Sequence, residues 1–134
     1  MQRYRAKLSG ALADRIDIAI SVERPTAADM AAAPARDSAT VRDRVMAARE
    51  RQSRRMGPGR CNAEMGVGEL RESCRLGGRE RALLAEGHAR LGLSGRGHDR
   101  VLRLARTIAD LDGSERVSAD HLAQALTLRR RGPR

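Results

Sequence analysis

The sequence predicts an all-α domain, a small four-helix bundle with a loosely attached or disordered N-terminal segment. Three observations carry that expectation. Val101, Leu104, Ala105, Ile108 and Leu111 recur at helical spacing and form one apolar stripe. Start and stop residues, among them Met56-Gly-Pro-Gly, Gly77-Gly78, Gly113 and Ser118, cut the rest of the chain into short pieces. The chain also has no Phe or Trp and a single Tyr, so Leu, Val, Ile, Met and Ala must fill its core. Such side chains suit close helix–helix contacts better than a thick sandwich. At 134 residues the chain has room for one ordinary domain.

The first element reads differently from the others. Ile16, Ile18, Ile20 and Val22 alternate with Asp17, Ala19 and Ser21, the period of a β-strand, and Arg24-Pro25 ends it. No second strand follows for it to pair with, so residues 1–37 are expected to be irregular or mobile. Within them, 25–37 is Ala-rich, carries two prolines and reads as a linker.

The bundle is expected over 38–128. Asp37 or Ser38 caps a helix running to about 55, with Val41, Val45, Ala48 and Gln52 facing inward. Arg42, Arg44, Arg49, Arg51, Arg54 and Arg55 then occupy its wet faces. A short helix over about 68–74 follows Asn62-Ala-Glu-Met, and another over about 79–91 carries Leu83, Leu84 and Leu91. The stretch 94–113 organises the rest: its apolar stripe faces the core, while Arg96, Arg100 and Arg103 line another face at i, i+4 and i+7. A ladder of guanidinium groups of this kind suits phosphates. Ser118 caps the last helix, which turns Leu122, Ala125 and Leu126 inward, and a basic tail occupies 129–134.

Lys and Arg total 27 against 17 Asp and Glu, a formal charge of +10, and Lys7 is the sole lysine. The bias points to nucleic acid, nucleotide or another acidic partner, although many such arginines serve only to solvate helices. Arg100, Arg103 and Arg106 are expected to be solvated or paired with Asp99, Asp110 and Asp112. Cys61 and Cys74 have no CxxC spacing and no histidine at zinc-ligand distance, and His88, His98 and His121 are scattered. No metal site is expected, and the cysteines should stay reduced. Asn62 is assigned a turn or cap and no chemistry. No apolar run reaches membrane-spanning length and no signal-peptide pattern opens the chain, which predicts a cytoplasmic protein without a membrane partner.

Four motifs in order carry a resemblance: Ala-Asp-Arg-Ile-Asp-Ile at 13–18, Ala-Arg-Glu-Arg-Gln at 48–52, Leu-Gly-Leu-Ser-Gly-Arg at 91–96, and Ala-Arg-Thr-Ile-Ala-Asp-Leu at 105–111. Together they resemble the C-terminal part of the magnesium-chelatase-like AAA+ ATPases, and within these the competence-associated, DNA-processing branch. The resemblance implies a longer protein with a protease-like domain, an α/β nucleotide-binding core and a helical lid. Residues 1–37 would be the end of that core and 38–128 the lid. The chain lacks a GxxxxGK[ST] phosphate loop, so it is expected not to hydrolyse ATP alone. ATP and Mg2+ would belong to the parent protein, with none bound to this chain. The implied partners are the upstream core, neighbouring subunits of a hexameric ring, and DNA.

Two residues inherit roles from the resemblance. Arg15 matches the arginine finger that such ATPases present in trans to a neighbour's nucleotide, where a guanidinium offsets charge on the transferring phosphoryl group. The family usually has Leu-Leu or Pro-Leu-Leu before Asp-Arg, whereas Ala11 and Ala13 stand here and loosen the local packing. Arg96 matches the lid sensor arginine for ATP in its own subunit. The plain alternative for Arg15 is an ion pair with Asp14 or Asp17. For the whole chain the alternatives are the lid of a magnesium chelatase subunit driving metal insertion into a porphyrin, and a freestanding basic module that binds nucleic acid.

Overall fold

A computed structural model describes residues 16–32 and 37–129. Among them lie six α-helices, here α1 (Ala27–Ala31), α2 (Ser38–Met56), α3 (Val67–Ser73), α4 (Gly78–Leu91), α5 (Gly95–Leu111) and α6 (Ala119–Leu128), with a 3-10 turn at Asn62–Glu64. No strand occurs among the described residues, and the fold is all-α as the sequence predicts.

The caps explain where the helices begin and end. Asp37 accepts the Thr40 amide at 2.7 Å and starts α2, and Gly57, at φ 95°, stops it in a conformation that side chains disfavour. Ser94 accepts the Gly97 amide at 3.1 Å at the head of α5. At the head of α6, the Ser118 amide donates to Nδ1 of His121 at 3.0 Å while the His121 amide donates back to the Ser118 hydroxyl at 3.4 Å. That reciprocal box gives His121 a structural task. Helix α1 falls inside the expected linker; Thr26 and Asp29 close a capping box around it, but none of its residues is buried.

Helix α5 is the centre of the core. Val101, Ala105 and Ala109 are fully buried, with Leu102 and Ile108 nearly so. Leu104 and Leu111 of the expected stripe are only partly covered. The buried face is wider than one stripe because α2, α3 and α6 all pack on α5. Leu122, Ala125 and Leu126 of α6 point into this core as expected, joined by Leu84, Leu70 and Met65. At Gly87 a Cβ would stand 2.7 Å from both methyl groups of Leu126, so glycine there lets α4 approach α6 closely.

Over its described residues the alternating segment is irregular, as its lack of a partner strand predicts: residues 16–26 run without regular pairing, and Ile16, Ile18, Ile20 and Val22 remain 44–85% exposed. A lone alternating segment has no ladder to satisfy its backbone and therefore no reason to regularise. One expectation, for α2, needs correction. Helix α2 is buried only through Ala48 and Gln52, while Val41 and Val45 are 46% and 44% exposed. Its N-terminal half extends past the elements that cover its C-terminal half.

Candidate functional site

Arg96 is the second residue of α5, two positions after the Ser94 cap and within the first turn, and is exposed. It makes no ion pair or hydrogen bond with another described residue. The first-turn amides of a helix carry partial positive charge, so an anion at this end meets both amide dipoles and the guanidinium. Arg129, which follows the end of α6, reaches the same turn; a Cβ at Gly97 would lie 3.2 Å from its Nη2.

The expected ladder does not survive folding. Arg100 pairs with Asp17 at 2.5 Å, not with Asp99. Arg103 donates to the Met65 carbonyl at 2.8 Å and ties α5 to the 3-10 turn. Arg106 is 1% exposed and serves the core. Of the three ladder residues, Arg96 alone is left facing solvent without a described partner. Arg15, the other residue singled out from sequence, lies outside the described residues.

The strongest charge arrangement is one that the sequence reading reached only in its pairing of Arg106 with Asp110. Asp110 is fully buried, and Arg55 grips it with two parallel bonds, Nη2 to Oδ1 at 2.5 Å and Nη1 to Oδ2 at 3.1 Å. Arg106 adds Nη2 to Oδ1 at 3.0 Å and donates to the carbonyls of Ser114 at 2.5 Å and Glu115 at 2.8 Å. Asn62 completes the set. Its amide donates to Asp110 Oδ2 at 2.8 Å and Thr107 Oγ1 at 3.0 Å, and its carbonyl oxygen accepts from Arg55 at 3.0 Å. Arg51 caps the Asp110 carbonyl at 3.1 Å.

This network bolts α2 and the 3-10 turn to the C-terminal end of α5, and most of its polar atoms are spent on one another or on nearby backbone carbonyls. It is structural. Burial pulls the Arg106 pKa below the ordinary arginine value, and the Asp110 carboxylate opposes that pull. Arg51 and Arg55, assigned to a wet face from sequence, turn inward, and Asn62 is a buried hub rather than a simple turn residue.

Burial pushes the Cys74 thiol up to about 11, so it stays un-ionised at neutral pH, and Cys61 is a free thiol of intermediate exposure. Among the described residues no three His, Cys, Asp or Glu side chains gather as a metal site. His88 and His98 meet edge-on with ring centroids 6.2 Å apart, a contact that scattered sequence positions did not foretell. A groove of about 310 Å³ between α2, the 3-10 turn and α5 is lined by Val45, Ala48, Cys61 and Leu111, well away from Arg96 in the chain. No helix among the described residues is long and apolar enough to cross a membrane.

One surface pair makes a pH prediction. Arg60 grips Glu69 with bonds of 2.7 and 3.0 Å, and the Gly66 amide adds a third. The Arg60 hydrogen bond, then the Gly66 amide, hold the Glu69 carboxyl down to about 2. A carboxyl depressed by folding favours the folded state above its unfolded pKa, and that contribution disappears as pH falls through the folded value. Glu69 should therefore titrate with a midpoint near 2 in an NMR experiment following its carboxyl carbon, and Arg60→Ala should move that midpoint upward. A midpoint in the ordinary glutamate range in the unmodified chain would contradict the pairing.

Comparison with known proteins agrees with this architecture. The profile of the family described as magnesium chelatase, subunit ChlI C-terminal, matches residues 35–129. The chain is 39% identical over 129 residues to the protein YifB of Escherichia coli, covering 95% of this chain and 25% of that protein. It is 36% identical over 131 residues to the competence protein ComM of Haemophilus influenzae, covering 96% of this chain and 25% of that one. A protein of Mycobacterium tuberculosis, Rv2897c, is 38% identical over 135 residues, 99% of this chain and 27% of its own length. The chain thus spans about a quarter of the length of these relatives, as their C-terminal part. With the matched residues enclosing α2 to α6 and the polar bolt between them, the chain belongs to the magnesium chelatase ChlI C-terminal family.

Proposed function

We propose that this domain is the helical lid of a hexameric AAA+ ATPase that couples ATP hydrolysis to remodelling or unwinding of DNA in the cytoplasm. One observation carries the reading: α5 presents Arg96 at its positively charged end, uncommitted to any described residue, while the other arginines of that helix are held by protein groups. ATP and Mg2+ bound on the longer protein would supply the phosphoryl group to be transferred. Arg96 would then hold and sense its phosphate from the same subunit, and Arg15 would neutralise charge from the neighbouring one. The rigid α2–α5 joint lets the lid move as one piece when Arg96 engages. The name of the Haemophilus influenzae relative, a competence protein, and the surplus of arginine support DNA as the partner. Lacking base-stacking aromatics, the domain would touch DNA through phosphates only.

A second reading rests on the family description itself, which names a magnesium chelatase subunit. The two readings part on one measurement, ATP turnover by the longer protein with and without DNA. Turnover raised by DNA, and falling as salt is added, supports the proposal. Turnover indifferent to DNA but raised by a porphyrin-binding partner subunit supports the chelatase reading. ATP hydrolysis by the 134 residues alone would overturn both.

A further inference from the structure

Helix α2 sorts its side chains in a way that the folding of this domain does not use. At about 100° per residue, Val41, Val45, Ala48 and Gln52 fall along one stripe, yet only Ala48 and Gln52 are buried. Val41 and Val45 stay exposed, and so does Met46 beside them. Arg42 and Arg49 flank this stripe on one side and Arg44 on the other. Asp43 and Glu50, the acidic residues of the same half-helix, fall on the opposite face.

The stripe leads into a groove. Val45, Ala48 and Arg49 meet Cys61, Ala63 and Leu111 around a space of about 310 Å³. Val41 continues the row one turn before Val45, beyond the elements that cover the rest of α2. An exposed apolar row that runs into a groove and is rimmed by polar residues is the mark of an interaction surface.

We propose that the N-terminal half of α2 and this groove form a docking surface for an amphipathic helix of a partner protein, its apolar side chains flanked by carboxylates. The apolar side chains of such a helix cover Val41, Val45 and Met46 and enter the groove, and Met46 adapts its shape to them. The carboxylates meet Arg42 and Arg49, while Asp43 and Glu50 point away and do not repel them. A second copy of this chain fits less well. It would bring its own Arg42 and Arg49 to the seam, like charge against like in a chain of net +10. Nucleic acid would satisfy the guanidinium groups through phosphates but leave the apolar row uncovered. The surface holds whether or not Arg96 reads a nucleotide.

The probe is a fluorescein-labelled synthetic helix with leucines at i, i+3, i+4 and i+7 flanked by glutamates; a twin carries lysines in their place. With the 134-residue chain, the glutamate probe should give a saturating rise in anisotropy that weakens as salt is added. The lysine probe should bind at least about tenfold more weakly, because it sets like charges together. Val45→Asn should weaken the glutamate probe by about tenfold or more, the scale of losing an apolar anchor. Arg42→Glu with Arg49→Glu should reverse the preference between the probes. Amide spectra locate the contact: Val41, Val45, Cys61 and Leu111 should shift, while Val101 and Leu122 report that each variant is folded.

A glutamate probe that does not saturate, that binds no better than its lysine twin, or that ignores Val45→Asn overturns the proposal. So do shifts confined to another face. Three further results overturn it by naming a different occupant. Shifts at Val41 and Val45 that depend on the concentration of the chain alone assign the face to a second copy. An oligodeoxythymidine that moves those amides as far as the probe does assigns it to nucleic acid. Loss of probe binding in the longer protein assigns it to that protein's own upstream part.

Discussion

Asp110→Ala is expected to cost about 3–5 kcal/mol of folding stability, the scale for removing one partner of a buried ion pair. Single domains are commonly stable by only about 5–15 kcal/mol, so the variant should lie near the edge of folding. The reason is the imbalance that the substitution leaves. Arg106 is 1% exposed and its Nε is already buried without a partner, so without the carboxylate its charge would rest on two backbone carbonyls alone. Arg55 and Asn62 would lose a shared acceptor at the same time.

Asp112→Ala is the matched control. Its carboxylate is 51% exposed and lies 3.7 Å from Arg44 and 3.4 Å from Nε2 of His121, which predicts a loss of about 0–1 kcal/mol. Urea unfolding followed by circular dichroism measures both. Equal losses for the two variants would mean that the buried network is not what holds α2 to α5. Replacing Asp110, Arg106 and Arg55 together with apolar residues of similar size should recover much of the loss, since the harm lies in the unpaired charge rather than in the missing pair.

The helices were legible because their signals are local. Asp37, Ser94 and Ser118 stand where a cap must stand, and Gly57 takes the positive φ that a chain break at Met56-Gly-Pro-Gly requires. The network was not legible, because its members come from three elements: Arg55 and Asp110 lie 55 positions apart, and Asn62 and Asp110 lie 48 apart. Nothing in a helical period says which arginine of α2 turns inward.

One trace was present all the same. Arg106 and Asp110 are four residues apart, and Arg106 falls at helical spacing between Leu102 and Ala109, on the face that is buried. A charged pair inside an apolar stripe is the mark of a buried salt bridge. The Arg100–Asp17 pair, 83 positions apart, left no such mark, and reading Arg96, Arg100 and Arg103 as one ladder failed because spacing along a helix does not reveal what packs beside it. The place of Arg96 at the start of the helical stretch 94–113 was legible, whereas its role comes from family resemblance.

Arg96→Ala, introduced into the longer protein, is expected to lower ATP turnover by about 10²-fold, the scale for losing one charged donor at a developing negative centre. Folding stability should change by no more than about 0.5 kcal/mol, because the side chain is exposed and holds no described residue, and alanine suits a helix at least as well as arginine. That contrast with Asp110 is the point: one arginine-rich helix spends its charges on holding the domain together at its C-terminal end and leaves Arg96 exposed at its N-terminal end, where the proposed reading puts the nucleotide. Arg96→Lys keeps the charge but not the planar fork, so turnover between that of the alanine variant and the unmodified protein would place the requirement on geometry as well as sign. If Arg96→Ala unfolds the domain, or leaves turnover unchanged in a protein that hydrolyses ATP, then the free guanidinium at the head of α5 is not the group that reads the nucleotide.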